Sequence, residues 1–247
     1  MGNIKYMLKP EWVSWESIHE CIAKAHETNR KNNFSMQNSS MSVQELKDYL
    51  KGGYCFVAIQ ENKVIGTNSL KVVKSKHWWT KGKIGYECLT AIDPEYRNTG
   101  AYFGLRKIRT EFAKSLGVGV LQFDTSEDNR TVQMIDLKFG FRYVSYFASP
   151  KTWYYSVVMV KWLDDCPYSK WYCNLRFTIT KFLVRLIWKR AHIIRFLPLR
   201  NDDYQKIHDK YQLCSDVMSK EEFCKRLGIK YDRFIKWEMH NNIETFV

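Results

Sequence analysis

The chain has 247 residues, enough for one large or two small domains, and its 45% apolar and 26% charged residues exclude a collagen, a coiled coil and a disulfide-framework peptide. A mean hydropathy of -0.43 argues against a polytopic membrane protein. With 39 Lys+Arg against 26 Asp+Glu the net charge is +13, which favours an anionic partner: a phosphorylated cofactor, a nucleic acid or an acidic membrane.

Trp12, Trp15, Ile18, Ile22 and Ala25 recur at helical spacing and predict a first helix over Glu11–Asn29. A polar run, Asn32–Ser42, leads to a second helix, because Ser42 and Glu45 have capping-box spacing ahead of Leu46 and Leu50. Tyr54–Gln60 and Val64–Lys74 read as two strands of a hairpin joined by the turn Glu61-Asn62-Lys63. After a polar and aromatic loop around His77, Trp78 and Trp79 comes the strand Ile84–Ile92, stopped by Asp93-Pro94 because proline cannot continue a ladder. Phe103, Ile108, Phe112 and Leu116 give a helix over Gly100–Leu116, Val118–Phe123 a short buried strand, and Asn129–Phe139 a further helix. Phe141–Ala148 and Trp153–Lys161, separated by Ser149-Pro150, close the pattern with two strands. That order describes an α/β or α+β sheet with helices packed on it. A change of composition near Trp162 divides the chain into a domain of residues 1–162 and a basic helical extension, 163–247.

Seven cysteines are odd in number, scattered and free of any C-x-x-C pair, so they read as reduced, buried thiols of a cytosolic chain. Met1–Tyr6 lacks the apolar core of a signal peptide, which points to a cytoplasmic location. The six histidines form no close metal-ligand pair, and no metal is expected.

Most informative about chemistry is Thr90-Ala91-Ile92-Asp93-Pro94-Glu95-Tyr96-Arg97-Asn98-Thr99-Gly100-Ala101-Tyr102, a strand running through a tight turn into a helix. First-turn amides have no intrahelical partner and the helix dipole adds positive charge, so phosphate oxygens bind there. Gly100 lets the backbone come close to them. Further on, Leu121–Thr125 is a strand, Asn129 opens a helix and Lys138-Phe139-Gly140-Phe141 ends it. Together these features resemble the GNAT superfamily of acyl-CoA-dependent N-acyltransferases. Arg97 and Gly100 match its pyrophosphate loop, Asn129 and the Gly140-Phe141 pair its second motif, and Cys55–Ile59 with Val64–Thr67 its second and third strands.

The resemblance spans residues 4–162 and implies a mixed, largely antiparallel twisted sheet flanked by helices. It also implies an N-acetyltransferase of bacterial type that moves an acetyl group from acetyl-CoA to a primary amine by direct attack in a ternary complex. On that basis the strand end Leu89, Thr90, Ala91 and Ile92 meets the pantetheine arm, and the amides of Arg97, Asn98, Thr99, Gly100, Ala101 and Tyr102 hold the pyrophosphate. Asn129 lies near the arm and Phe139 near the transfer end.

Two positions depart from the family. Tyr102 stands where a Gly or Ala is usual, and Asp136 where a Tyr often protonates the leaving thiolate; an aspartate serves only with a raised pKa. Tyr143 and Tyr146 are alternative acids, as are water and the product ammonium. For the base, Glu87 lies on the fourth strand, but the family's glutamate position counts to Tyr86, and alternation turns Glu87 to the other face unless a bulge intervenes. Pairing of Glu87 with a cation is an equal alternative. His19, His26 and His77 read as surface or loop residues. Trp78, Trp79 and Tyr86 are candidates for a substrate pocket suited to a small amine such as an amino sugar, with core packing as the alternative.

Between Trp171 and Arg200 lie seven basic residues (Arg176, Lys181, Arg185, Lys189, Arg190, Arg195 and Arg200) and no acid. Lys181, Arg185, Lys189, His192 and Arg195 form one stripe of a helix predicted over Trp171–Leu197. Such a helix suits peripheral contact with the inner face of a membrane, packing on the catalytic domain, or a homodimer interface. Ser219–His240 has a helix-turn-helix outline. The alternatives to catalysis are therefore an inactive CoA-binding or membrane-surface module and, last, nucleic-acid binding.

Overall fold

The computed structural model describes residues 3–31, 41–80, 82–149, 152, 154–190, 193–195, 197–212, 214–216 and 218–241. Residues 32–40 of the polar run, Pro150, Trp153 and His192 lie outside them. Seven strands form one sheet: β1 (Lys5–Leu8), β2 (Tyr54–Gln60), β3 (Lys63–Lys74), β4 (Lys83–Ile92), β5 (Val120–Ser126), β6 (Arg142–Ala148) and β7 (Tyr155–Trp162). Their order is β1-β2-β3-β4-β5-β7-β6. Every neighbouring pair is antiparallel except β4 and β5. The β2–β3 hairpin turns on Glu61 and Asn62 with φ of 49° and 63°, the left-handed geometry that matches strand twist. β1 was not foreseen, because four residues are too few for alternation to register.

Helices cover both faces. On one side α1 (Trp15–Lys31) and α2 (Val43–Tyr49) bury Ile18, Ile22 and Leu46 against Val57, Leu89 and Ala91. Both hydrogen bonds of the predicted capping box at Ser42 and Glu45 are made. The first helix begins at Trp15 rather than Glu11, because the Ser14 hydroxyl accepts from the Ser17 amide and caps it there. On the other side α3 (Ala101–Ser115) sets Leu105 and Ala113 on Phe56, Ile65 and Leu121. α4 (Arg130–Lys138) bridges β5 and β6, and α5 (Lys170–Ile187) lies along β6, with Phe177 stacked on Tyr143.

Beyond the sheet, α6 (Asn201–Gln212), α7 (Lys220–Leu227) and α8 (Tyr231–His240) close around a second core of Ile207, Phe223, Leu227, Phe234 and Trp237. The helix-turn-helix outline is real in shape, and α6 packs onto it. Fully buried Glu238 ties the three together, accepting from His208 Nδ1 and Lys220 Nζ, each at 2.9 Å. The helix predicted over Trp171–Leu197 is shorter than expected. It ends at Ile187 and gives way to a hairpin of β8 (Trp188–Lys189) and β9 (Ile193–Ile194). There Arg190 leaves the helical path to reach Glu127 and Asp128, and the Arg195 amide caps the Ile187 carbonyl at 2.8 Å.

One close approach fixes β1 to α3: a Cβ on Gly104 would fall on the ring of Tyr6. Gly104→Val therefore costs about 1–3 kcal/mol of stability, read as a lower midpoint in urea unfolding.

Candidate active site

β4 and β5 run parallel for only three residues, Ile84–Tyr86 against Val120–Gln122, and then part. Past that point β5 pairs only with β7, and β4 only with β3. The β3–β4 ladder passes from Ser69↔Cys88 to Thr67↔Ala91, so Leu89 and Thr90 both stand opposite Asn68. Leu89 has a φ of 52°, a left-handed bulge that turns the strand and frees backbone toward the gap. Asn68 Nδ2 holds the bulge by donating to Thr90 Oγ1 at 2.5 Å. Between the parted strands lies a cleft of about 400 Å³, reached by Glu87, Cys88, Leu89 and Thr90 from β4 and by Phe123, Asp124 and Thr125 from β5.

At one end of the cleft the chain turns into α3. Asp93 stops β4, accepting from the Glu95 amide at 3.1 Å and pairing with Lys63 at 3.0 Å. Asn98 and Gly100 take φ of 70° and 88°, and the helix begins at Ala101 with no side-chain cap. The amides of Ala101, Tyr102 and Phe103 thus have no intrahelical acceptor. A Cβ on Gly100 would meet nothing, so the glycine serves the backbone angle and leaves space above the amides. Arg97 does not face that space: its Nη2 donates to the Ala25 carbonyl at 3.0 Å. Tyr102 also turns away, sending its hydroxyl to Asp136 Oδ1 at 3.1 Å and accepting from Arg106 Nη1 at 3.0 Å.

Under the cleft floor sit two buried ion pairs from the same face of α3. Arg109 meets Glu87 at 2.7 Å, and Arg106 pairs with Asp136. Burial pushes the Glu87 and Asp136 carboxyls up, with the guanidiniums opposing it. Alternation places Tyr86 on the opposite face from Glu87, where its hydroxyl donates to Asp124. Asp124 opens to solvent within the cleft, and desolvation by the cleft walls pushes its carboxyl up against the Tyr86 hydrogen bond. It has no cationic partner among the described residues. Burial raises the Cys88 thiol to about 12.

Of the residues singled out from sequence, the structure brings Tyr86, Glu87, Leu89, Thr90, Tyr102, Asn129 and Asp136 to this cleft. Asn129 caps α4 and donates to Thr125 Oγ1 at 3.3 Å. Ala91 and Ile92 are engaged in the β3–β4 ladder. Phe139 packs outside, against Phe103 and the Arg106 guanidinium. Tyr143 donates to Gln133 and Tyr146 to Glu127, so neither hydroxyl reaches the cleft. Trp78 and Trp79 lie elsewhere, clustered with Val144, Val158 and Val160; Trp79 Nε1 donates to Gln122, and Arg176 stacks on Trp78.

Sequence reading missed Asp124, which passes for the solvent-facing member of an alternating strand. It also set aside His26, yet that side chain is 5% exposed and lines the cleft. Burial first, then the Arg97 charge, pushes His26 down to about 4, so the ring is neutral at physiological pH. Tyr49 and Tyr154 complete the aromatic wall. No cluster of metal-ligating side chains occurs among the described residues.

Comparison with known proteins matches the acetyltransferase (GNAT) family over residues 15–141, just over half of the chain. No curated protein matches. Among solved structures, a GNAT-family acetyltransferase from Staphylococcus aureus Mu50 superposes with a TM-score of 0.51 at 15% identity, covering 66% of this chain and 100% of its own. The ribosomal-protein-S18-alanine N-acetyltransferase of Escherichia coli gives 0.52 at 14% identity, covering 67% and 96%. At these identities the likeness is one of fold.

Glu87→Gln strands the Arg109 charge and lowers stability by about 3–5 kcal/mol in urea unfolding, whereas Glu87→Leu with Arg109→Met recovers most of it. His26 makes a separate prediction. The unfolded chain binds its proton near pH 6.5 and the folded one only near 4, so stability falls as pH drops between those values. His26→Gln removes that slope.

Proposed function

Because the chain belongs to the acetyltransferase (GNAT) family, we propose that it transfers an acetyl group from acetyl-CoA to a small primary amine bound on the Asp124 side of the cleft. The observation that carries this reading is the parting of β4 from β5 beside the uncapped start of α3. Acetyl-CoA supplies the acetyl group as an activated thioester. The chain's contribution is to hold it: the freed backbone at Leu89 and Thr90 suits the amides of a pantetheine arm, as one strand suits another. First-turn amides of Ala101, Tyr102 and Phe103 suit the pyrophosphate. Tyr102 offers no obstruction, since its ring turns toward Asp136.

An amine attacks only when neutral, so a group in the cleft must take a proton from the ammonium. Asp124 is the carboxylate placed for it. It faces the open cleft, it is oriented by Tyr86, and its raised pKa brings it closer to working pH. The same negative charge attracts a cationic acceptor. Proton balance asks for no dedicated acid: the ammonium releases one proton through Asp124, and the proton lost by the attacking nitrogen ends on the departing thiol. In this reading Glu87 and Asp136 do not exchange protons with substrate but anchor α3 and α4 to the sheet, and Tyr143 supports α4. Trp78 and Trp79, which suggested an amino sugar, line no part of the cleft, so the acceptor class rests on Asp124.

An amine screen that follows thiol release tests the activity. Asp124→Asn lowers kcat by at least about 100-fold while calorimetric binding of acetyl-CoA stays intact. In the wild type the acid limb of kcat/KM lies above the ordinary aspartate value of 3.8, since rate rises with pH as the carboxylate ionises, and the variant lacks that limb. Binding of acetyl-CoA without turnover of any amine would instead make the protein an inactive CoA-binding module.

A further inference from the structure

α5 is apolar on two opposite sides. One side, Cys173, Phe177 and Val184, is turned to the sheet. The other faces water: Trp171 is 71% exposed, Phe182 66%, Ile179 49%, Leu186 46% and Leu175 40%. At about 100° per residue these five fall within an arc of roughly 80°, a continuous stripe along the helix. An apolar stripe of this kind left facing water marks an interaction surface. No described helix is long and apolar enough to cross a membrane.

A cationic hollow lies at the carboxyl end of the same helix. It encloses about 280 Å³ and is lined by Arg185, Lys189, Arg190, Arg195, Lys225 and Arg226. Glu127 and Asp128 answer Arg185 and Arg190, and Glu222 answers Arg226. Lys189, Arg195 and Lys225 make no close ion pair with a carboxylate among the described residues, although the Lys225 charge is felt by Glu222. The Lys189 and Arg195 side chains instead spend a donor each on a backbone carbonyl, of Gly228 and Arg185.

We propose that the outer stripe of α5 and this hollow dock the protein onto an anionic lipid bilayer, with α5 lying in the plane of the interface and the hollow taking lipid phosphate. The charge pattern selects the occupant. A two-fold partner would set the same stripe against itself and bring together two acid-free segments, each with seven cations between Trp171 and Arg200, of which Glu127 and Asp128 answer only Arg185 and Arg190. An anionic bilayer offers acyl chains to the stripe and phosphates to the cations.

The test is co-flotation of the full chain with vesicles of phosphatidylcholine alone and with about one third phosphatidylglycerol, at low and high salt. Binding to the mixed vesicles, weak on the neutral ones and reduced by salt, is the expected result. Trp171→Ser with Phe182→Ser lowers partition by at least about tenfold. Arg195→Gln with Lys225→Gln lowers it by about tenfold on mixed vesicles only. All four side chains are exposed, so thermal unfolding is unchanged and the loss is not one of folding. The proposal is overturned if wild type ignores mixed vesicles at low salt, if it binds neutral vesicles equally well, or if neither double variant weakens binding. It is equally overturned if sedimentation without lipid shows a dimer that the Trp171→Ser, Phe182→Ser variant dissolves.

Discussion

Everything in the sheet domain of this protein depends on two parallel strands that stay together for three residues and then separate. Backbone that leaves a ladder inside a protein must find another partner or a reason to be open. Here the separation is enforced locally, by a non-glycine residue at positive φ, and globally, by helices on both faces that pull each strand toward its own layer. A left-handed Leu89 is disfavoured by its own sterics and persists because Asn68, on the neighbouring strand, engages the residue after it. The gap is thus built into the sheet.

Two arginines on α3 make the second constraint. Arg106 and Arg109 are 5% and 1% exposed, and each is matched by a carboxylate from a different element, Asp136 on α4 and Glu87 on β4. Such pairs add little net stability over apolar residues of the same size, since desolvation consumes most of the Coulomb attraction. What they add is registry. Hydrophobic contacts allow a helix to slide or rotate by a fraction of a turn, but a buried charge one turn out of place has no partner. The amides at the start of α3 are held in position relative to β4 by that requirement.

Strands β2 to β7 were legible because their apolar runs are dense and their turns carry proline or Asn-type residues, and the start of α3 because a glycine follows a Pro-Glu-Tyr turn. What the pattern could not carry was the buried charge. Phe103 read as part of the core-facing stripe of α3, yet it is 52% exposed, while Arg109, which any hydrophobicity scale sends to solvent, is fully enclosed. Its partner Glu87 lies more than twenty residues away in sequence, so nothing local announced the pair. Asp124 was hidden for the converse reason: an acid at an outward position of a strand looks solvated, and only the tertiary gap turns that position inward to a cleft. In the extension, helical periodicity continued past Ile187 while the chain did not, because Arg190 is drawn to carboxylates on a loop sixty residues earlier.

A sulfur atom in the wall of the cleft has a chemical consequence. Cys88 lines the cleft, and in the proposed function, where that cleft holds a thioester, a thiolate there would exchange with it and carry the acyl group on the protein. Burial raises the thiol to about 12, so it stays protonated at neutral pH. A protonated thiol is a poor nucleophile, toward a thioester as toward peroxide or alkylating agents. In the proposed reaction, burial keeps this potential nucleophile inert beside the thioester, which fits direct transfer from donor to acceptor.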